Sequence, residues 1–197
     1  MAILKIAQIG HPVLRQPARE LTLDEIKSES IQRLVDDMIE TMRDANGAGI
    51  AANQVFQPVR ICVVEVRGNN PRYPYKPEIP LTVLINPIIV PSGTEMFSNY
   101  EGCLSVPNIR GVVKRATQIT LTYRDRTGKP FSAVVEGISA GTFQHECDHL
   151  DGKLFIDKVE DAGTLCSWEN FDKFYKNAFV TAISEMVERN RLRVEEI

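Results

Sequence analysis

The chain has 197 residues, of which 43% are hydrophobic and 25% are charged, and its formal net charge at pH 7 is −3. This length suits one domain, residues 1–197, with a sizeable core. We expect no nucleic-acid partner, because there is no basic excess, and no membrane span, because no apolar run approaches about 18 residues.

The amino-terminal stretch, Met1–Lys5, lacks the basic flank, long apolar segment and small-residue cleavage site of a signal peptide. The four cysteines contain no C-x-x-C pair, which argues against a disulfide framework and favours a reducing compartment. We therefore expect a cytoplasmic protein.

The first predicted helix is amphipathic. Before it, Gly10–Arg15 indicates a turn-rich entry in which His11 has a surface or capping role rather than that of a metal ligand. Thr22 and Glu25 fit a capping box. Asn46-Gly47 marks the end of the helix. The apolar stripe, which recurs at helical spacing and includes methionines as core filling, consists of Ile31, Leu34, Val35, Met38, Ile39 and Met42.

Small residues follow directly, in Gly47-Ala48-Gly49-Ile50-Ala51-Ala52-Asn53-Gln54. They allow another chain to approach the backbone closely. The Lys-Ser/Thr end of a phosphate-binding loop is missing, so an exposed backbone edge for a peptide is the better interpretation. Gln54 has a side-chain amide that can donate to an oxyanion, although from this segment alone an ordinary loop glutamine is the better interpretation.

The middle of the chain predicts strands. The clearest are 60–66, the pair 81–86 and 88–90 separated by Pro87, and an antiparallel hairpin of 117–124 and 130–136. Prolines at positions 71, 74, 77 and 80 have a period of three, which suggests a stiff polyproline-II insertion.

Two segments carry the candidate metal ligands. Cys103 lies among polar neighbours in a tight segment that Gly102 and Pro107 bracket. Further on, His145 and His149 are four residues apart, with Glu146 after the first. On a helix the two imidazoles are about 40° apart on one face, so that they can bind one metal ion while the carboxylate reaches its open position.

The boundaries of this metal helix are also predicted. Ser139 is a plausible N-cap and Gly152 a C-terminal stop. Cys147 projects away from the metal face and is expected to pack in the core. A last helix, capped by Ser167, carries an apolar stripe from Trp168 to Met186, and the tail from residue 188 is expected to fray.

These ligands imply metal-assisted hydrolysis. If Cys103, His145 and His149 bind one divalent ion, a fourth position remains for water, as in catalytic sites. The metal-bound water is the nucleophile, and Glu146 takes its proton and passes it to the leaving group. Gln54 and a backbone N–H near Cys103 can stabilise the oxyanion, each donor being worth roughly 2.7–4 kcal/mol.

Two rival interpretations use the same helix. A zinc peptidase would take a third ligand downstream, such as Glu169, and would leave Cys103 without a role. A non-catalytic binding module would close its structural site with four protein ligands and would have no use for Glu146.

Three segments together resemble the signatures of the peptide deformylase family. They are Gly47–Gln54 as G-x-G-x-A-A-x-Q, Glu101–Ser105 as E-G-C-L-S, and Gln144–Gly152 as Q-H-E-x-D-H-L-x-G. Their order and spacing match that family as well. The resemblance implies an α+β fold, in which antiparallel sheets pack around a central HExxH helix, with an N-terminal amphipathic helix and a C-terminal helix.

The resemblance also implies the activity, which is removal of the formyl group from N-formyl-methionyl nascent peptides with release of formate. By motif position Cys103, His145 and His149 are metal ligands, Glu146 is the general acid and base, and Gln54 with the Leu104 N–H stabilises the oxyanion. The family commonly uses Fe²⁺ and accepts Ni²⁺, Co²⁺ or Zn²⁺, whereas the ligand types alone would favour zinc. The implied substrate-binding positions are Ala48, Gly49, Gly102, Arg110, Ile138 and Thr142.

The resemblance further suggests that Glu101 and Arg115 form a buried ion pair that braces the cysteine loop. Some features depart from the family. Gly141 and Thr142 stand where relatives often carry larger apolar residues near the methionine pocket, and the insertion at 69–80 approaches the site in our prediction. The C-terminal helix replaces a short basic tail that contacts ribosomes in some relatives, so transient ribosome contact is left open.

Overall fold

The computed structural model describes residues 2–68 and 70–197, which fold as an α+β structure. The α-helices are α1 (Leu23–Lys27), α2 (Glu29–Asp44), α3 (Ile138–Leu150), α4 (Trp168–Asn170), α5 (Lys176–Ala182) and α6 (Ser184–Glu188). The strands are β1 (Gly49–Ala51), β2 (Ile61–Val66), β3 (Ile79–Pro91), β4 (Met96–Cys103), β5 (Val106–Ala116), β6 (Gln118–Arg124), β7 (Pro130–Glu136), β8 (Cys166–Ser167) and β9 (Arg191–Glu196).

Six strands form one antiparallel sheet in the order β1-β2-β3-β6-β7-β9. Alternate residues of β2 face opposite sides of it. Cys62 and Val64 belong to the cluster that contains Phe143 of α3, whereas Ile61 and Val63 belong to the cluster built on α2. The sheet is therefore covered by α2 on one face and by α3 on the other.

A second sheet, of order β4-β5-β8, holds the cysteine. Strands β4 and β5 pair over their whole length, from Met96 with Ala116 to Gly102 with Arg110. The sequence predicts only a tight segment at residues 102–107 and does not predict this hairpin. Helix α3 contacts strands of both sheets, so that the metal helix lies between them.

The predicted amphipathic helix is present as α2, and its buried side chains include Val35, Met38 and Met42. The capping box at Thr22 and Glu25 is also present, but it begins the separate short helix α1. Ser28 caps α2, because the chain turns between the two helices.

The metal helix has a different start from the one predicted. Gly137 precedes its first residue, Ile138, and Ser139 is buried inside the first turn. The prediction that Ser139 is the N-cap is therefore wrong. The predicted stop is confirmed, since Gly152 has φ of +72°, a left-handed conformation that favours glycine, and its backbone lies against Arg15.

One strand prediction needs correction and another is confirmed. The segments 81–86 and 88–90 form one strand, β3, whose register shifts between Ile85 and Ile88 at the position of Pro87. The proline is accommodated as a bulge, where its missing N–H does not break the ladder. The hairpin of β6 and β7 is confirmed.

The proline-spaced insertion forms a series of turns at residues 70–78 and then begins β3 at residues 79 and 80, so the polyproline-II prediction is wrong for its described part. Tyr73 N–H donates to Asn70 O, and Lys76 N–H donates to Tyr73 O, in reverse turns that an extended helix would not contain. Asn69, which the prediction also included, lies outside the described residues.

The C-terminal region differs most from its prediction. Ser167 caps α4 as predicted, but the helix is interrupted by a π-helical turn at Phe171–Tyr175 before α5 and α6. The tail does not fray. Residues of β9 pair with β7 from Phe131–Glu196 to Glu136–Arg191, because the edge of β7 offers unpaired backbone groups.

Among the described helices, none combines the length and the apolar character that crossing a membrane requires.

Candidate metal centre and active site

Three side chains that prefer transition metals converge between the two sheets. The ligand atoms of Cys103, His145 and His149 all lie within 4.8 Å of one another. The Cys103 Sγ lies 3.2 Å from His149 Nε2, and both residues are buried. The structure thus brings together all three predicted ligands, from segments more than 40 residues apart in the chain.

Local structure explains this convergence. His145 and His149 lie one turn apart on α3, so that both rings project from the same face of the helix. Cys103 is the last residue of β4, and the next turn, at Leu104 and Ser105, leads into β5. The Ser105 N–H is 3.4 Å from the Cys103 sulfur, which restrains the thiol at the head of that turn.

A buried carboxylate orients the first histidine. Glu101 accepts a hydrogen bond from His145 Nδ1 at 2.8 Å, and two from Arg115, at Nε (2.7 Å) and Nη2 (2.8 Å). Arg115 also contacts Asp148 at 2.6 Å. The predicted Glu101–Arg115 ion pair is confirmed, and it directs the other ring nitrogen of His145 toward the site, as carboxylates do behind metal-bound histidines.

The electrostatics of this cluster favour metal binding. Burial raises the pKa of the Cys103 thiol, but the charge of His149 and hydrogen bonds from both imidazoles outweigh burial, so that the pKa lies well below its usual value. For Glu101, burial is opposed by Arg115 and His145, which hold the pKa of the carboxyl well below its ordinary range. A thiolate is the form of cysteine that binds metals.

Glu146 lies beside the ligands, where a general base would act. Its side chain is buried, and its Oε2 has no hydrogen-bond partner among the described residues. Burial raises the pKa of Glu146, against the lowering effect of the two histidines. A carboxyl with a raised pKa is suited to accept and return a proton near neutral pH.

The β1 backbone runs directly over this carboxylate. A Cβ placed on Gly49 would lie 2.5 Å from Glu146 Cδ and Oε1, so a larger residue here would displace the Glu146 carboxylate. Strand β1 is an end strand of the larger sheet, where Glu65 N–H donates to Ala48 O. Because antiparallel pairing alternates, the backbone groups of Gly49 point away from β2, as the predicted peptide-binding edge requires.

Gln54 is also directed at the cluster. Its Oε1 accepts from the Ala51 N–H at 2.8 Å, and its Nε2 donates to Ser105 Oγ at 3.0 Å and approaches Cys103 Sγ at 3.5 Å. The side chain is almost completely buried. These contacts favour a fixed amide donor over the ordinary loop glutamine.

The donor set fits a divalent transition metal. One sulfur and two imidazole nitrogens suit Zn²⁺, Fe²⁺, Co²⁺ or Ni²⁺. Three protein ligands leave a coordination position open, and the unpaired Oε2 of Glu146 lies in the same cleft. Three candidate ligands among the described residues fit an open catalytic site better than a structural site closed by four ligands.

Not all predicted substrate-binding residues lie in the cleft. Ala48, Gly49, Gly102 and Thr142 line it, together with Gln54 and Leu104.

Arg110 lies behind the wall of the cleft. Its guanidinium carbon is 3.7 Å from the Trp168 ring centroid and 4.3 Å from that of Phe171, and its Nη1 lies 3.3 Å from Tyr100 O. Arg110 is not among the residues that line the cleft, and its buried side chain joins α4 and the π-turn to β5, so its contact with substrate stays a prediction.

Ile138 is likewise a core residue. It is fully buried in the cluster formed by Phe97, Phe171, Phe179 and neighbouring side chains. Ile138 is not among the residues that line the cleft, so its contact with substrate stays a prediction.

The sequence interpretation missed Tyr73, Lys76 and Asn99, which line the cleft. Lys76 Nζ donates to Thr142 Oγ1 at 2.9 Å, and burial lowers the pKa of this lysine to about 8. The only available signal was the insertion, which was expected to approach the site but carries no motif that identifies a particular side chain.

The remaining candidates have structural roles. His11 caps the 3₁₀ turn Pro12–Arg15, with its Nδ1 accepting from the Val13 N–H. Cys147 is buried in the core cluster that also contains Cys62. Glu169 is exposed on α4 and is not part of the ligand cluster, which disfavours the peptidase interpretation.

Comparisons with known proteins agree with this site. The family model described as polypeptide deformylase matches residues 3–164. Peptide deformylase 2 of Nostoc sp. is 49% identical over 158 residues, which cover 80% of this chain and 87% of the relative. The peptide deformylase of Leptospira biflexa is 41% identical over 172 residues, covering 87% and 96%.

Solved structures show the same likeness. A class I type b peptide deformylase from Acinetobacter baumannii, with Met-Ala-Ser bound, is 39% identical with a TM-score of 0.77, covering 80% of this chain and 99% of that one. The enzyme from Synechococcus elongatus in complex with actinonin is 33% identical with a TM-score of 0.73, covering 88% and 86%. From these matches and the metal cluster, the chain belongs to the peptide deformylase family of metal-dependent enzymes.

Proposed function

We propose that this enzyme hydrolyses the formyl group from the amino-terminal residue of nascent peptides, with release of formate and a free amine. The observation that supports this most strongly is the position of Glu146, which is buried, lines the same cleft as Cys103 and His145, and lies against the glycine of the β1 edge. A carboxylate in this position can serve both the attacking water and the leaving amine.

Cys103, His145 and His149 would hold the metal, with Fe²⁺ as the expected ion and Ni²⁺, Co²⁺ or Zn²⁺ as alternatives that the same donors accept. When bound, such an ion supplies Lewis acidity, which lowers the pKa of water toward neutrality. The Glu101 carboxylate keeps the His145 ring in the orientation that this requires.

Glu146 then moves the proton. It accepts a proton from water as the formyl carbon is attacked, and it returns that proton to the nitrogen of the amino-terminal residue as the C–N bond breaks. The raised pKa that burial produces matches both tasks, since one group must be base and then acid.

The negative charge that develops on the formyl oxygen must be stabilised by hydrogen-bond donors. The Gln54 Nε2–H and the backbone N–H of Leu104 are our candidates, because Gln54 is fixed by Ala51 and Ser105 and lies beside the sulfur. Loss of one such donor typically costs about 10²–10³ in kcat.

The peptide would bind as an added strand on β1, opposite β2, through backbone groups of Gly49. Because this mode uses backbone hydrogen bonds, it places few demands on the peptide side chains that follow the first residue. Methionine as that first residue is implied by the resemblance, and the relative from Acinetobacter baumannii was solved with Met-Ala-Ser bound.

The test is Glu146→Gln, which preserves shape and removes the proton acceptor. We expect the variant to retain bound metal and the wild-type unfolding temperature while formate release from a formylated tripeptide falls by about 10²–10⁴. Full turnover by Glu146→Gln would contradict the proposed mechanism, whereas absence of formate release by the wild type would contradict the activity itself.

A further inference from the structure

Strand β9 forms one edge of the larger sheet, at the opposite end from β1. It pairs with β7 through six consecutive residues, and all of them except the half-buried Leu192 are exposed. The N–H and C=O groups on the outer side of an edge strand can pair with another strand, so proteins commonly shorten such an edge or interrupt it with proline or a bulge. Strand β9 instead presents a continuous edge.

Side-chain contacts fix the start of this strand. Asn190 Oδ1 accepts a hydrogen bond from the Ser139 N–H, in the first turn of α3, at 3.0 Å. The guanidinium of Arg189 donates to both carboxylate oxygens of Glu95, at 2.8 and 2.9 Å. These contacts join the chain before β9 to α3 and to the segment that leads into β4. The edge is therefore a fixed part of the sheet.

The backbone groups on the outer side of β9 belong to alternate residues. The Ile197 N–H donates to Pro130 O at 3.2 Å, and the register of β7 and β9 makes these two residues directly opposite partners. Hydrogen-bonded and non-hydrogen-bonded pairs alternate along an antiparallel ladder. Counting back from Ile197, the residues whose N–H and C=O groups point away from β7 are Leu192, Val194 and Glu196.

The exposed side chains between these positions carry opposite charges. Arg193 and Glu195 lie on one face of the sheet, opposite Val134 and Ser132 of β7. In the part of the chain that the structure describes, neither side chain forms an ion pair. An edge with charges of one sign would repel a copy of itself, whereas this edge presents one charge of each sign.

One antiparallel arrangement of two β9 strands satisfies both the backbone groups and the charges. With the two-fold axis at Val194, this residue lies opposite its own counterpart, and Leu192 lies opposite Glu196 of the second copy. All three point their backbone groups outward, so these become hydrogen-bonded pairs. The intervening pairs, in which side chains are closest, join Arg193 to Glu195 of the second copy. An axis at Arg193 would instead oppose two arginines.

We propose that β9 pairs with β9 of a second copy of this chain, forming a two-fold symmetric dimer with one continuous sheet. The same edge is used by both copies, so assembly closes at two chains. The partly exposed Val194, at 45%, is covered by its counterpart. The β1 edge lies at the far end of the sheet and stays free in each copy. The dimer is therefore independent of the proposed function.

Analytical ultracentrifugation of the full chain tests the association itself. The wild-type protein should sediment as a dimer at submillimolar concentration. A monomer throughout the accessible concentration range would overturn the proposal. An open series of larger species would overturn it too, because only contacts between two different surfaces propagate in this way.

Charge reversal tests the register. Arg193→Glu and Glu195→Arg each create like charges at both crossings, so each should raise the dimer dissociation constant at least tenfold. Mixing these two variants should restore association as a heterodimer, because every crossing then joins opposite charges. Lys5→Glu, at an exposed lysine outside the strand, is the control and should dimerise as the wild type does. Unchanged dimerisation of both single variants, or a mixture that stays monomeric, would overturn the proposal.

A backbone variant tests the hydrogen bonds. Val194→Pro removes an N–H that the ladder to β7 does not use, so the variant should fold but remain monomeric. If it does not fold, the charge variants, which change only exposed side chains, still decide. A folded variant that dimerises as the wild type does would overturn the proposal. Formate release per chain should be equal in monomer and dimer; a dimer that releases no formate would contradict only the proposed function.

Discussion

Replacing Glu101 by glutamine should damage both stability and metal binding, because one carboxylate serves both. Its two oxygens accept four hydrogen bonds: two from Arg115, one from His145 and one from Asn99. Glutamine has a single acceptor oxygen and places an NH₂ against the remaining donors. At least two bonds are lost, and Arg115, 1% exposed, keeps Asp148 as its charged partner and one hydrogen bond to the glutamine oxygen.

The magnitude follows from the cost of breaking a buried ion pair, about 3–5 kcal/mol. For a chain of 197 residues, each kcal/mol lowers the midpoint of thermal unfolding by roughly 2–4 °C, which gives a decrease of about 6–20 °C. Thermal unfolding in the presence of a chelator measures this without a contribution from bound metal. Glu29→Gln, which removes an exposed partner of Arg33, is the control and should leave the midpoint unchanged.

The loss of stability in Glu101→Gln should also depend on pH. Because the folded-state pKa of Glu101 lies well below that of the unfolded chain, its stabilisation is complete above about pH 4.3 and disappears as pH falls through the folded pKa. Wild type and Glu101→Gln should therefore converge in acid. Metal affinity of the variant should fall by about 10–100-fold through the loss of the His145 contact. A midpoint within 2 °C of wild type together with unchanged affinity would refute this account of the network.

Three further outcomes are expected. Gly49→Ala should lose most formate release while retaining its fold, since the added methyl would meet the Glu146 carboxylate at 2.5 Å; activity near that of wild type would show that the strand can shift. Lys76→Met should unfold at a higher temperature than wild type at pH 7, because the ammonium is desolvated in the folded protein. That advantage should shrink as pH rises from the folded pKa of about 8 toward the ordinary value of 10.5, and an advantage constant across this range would assign the effect to packing.

The grouping of the three candidate metal ligands could be predicted from the sequence largely because local helix geometry determines the positions of the two histidines. Two histidines four residues apart face the same way on any helix, and Glu146 between them has no structural need for its charge. Cys103 could be chosen from its polar neighbours, and the resemblance of its segment added support. The ion pair of Glu101 and Arg115 followed from the resemblance, since no local rule joins residues 14 apart across a hairpin.

Sequence patterns do not predict contacts between residues that are far apart in the chain. Strand β9 forms because β7 has an open edge, a property of the assembled sheet that the charged tail does not reveal. Arg110 is held by aromatic rings from the C-terminal helices, which the cysteine segment alone does not indicate. Lys76 belongs to an insertion whose proline spacing suggested an extended rod, and only the turns of the folded segment direct it into the cleft.

The central claim is that a metal held by Cys103, His145 and His149 is required for release of formate. The most direct measurement follows formate release from a formylated tripeptide by protein purified without oxygen, with metal content determined on the same sample. We predict one divalent ion per chain, loss of activity on chelation and recovery when Fe²⁺ is restored. Full formate release from protein that contains no metal would contradict the account.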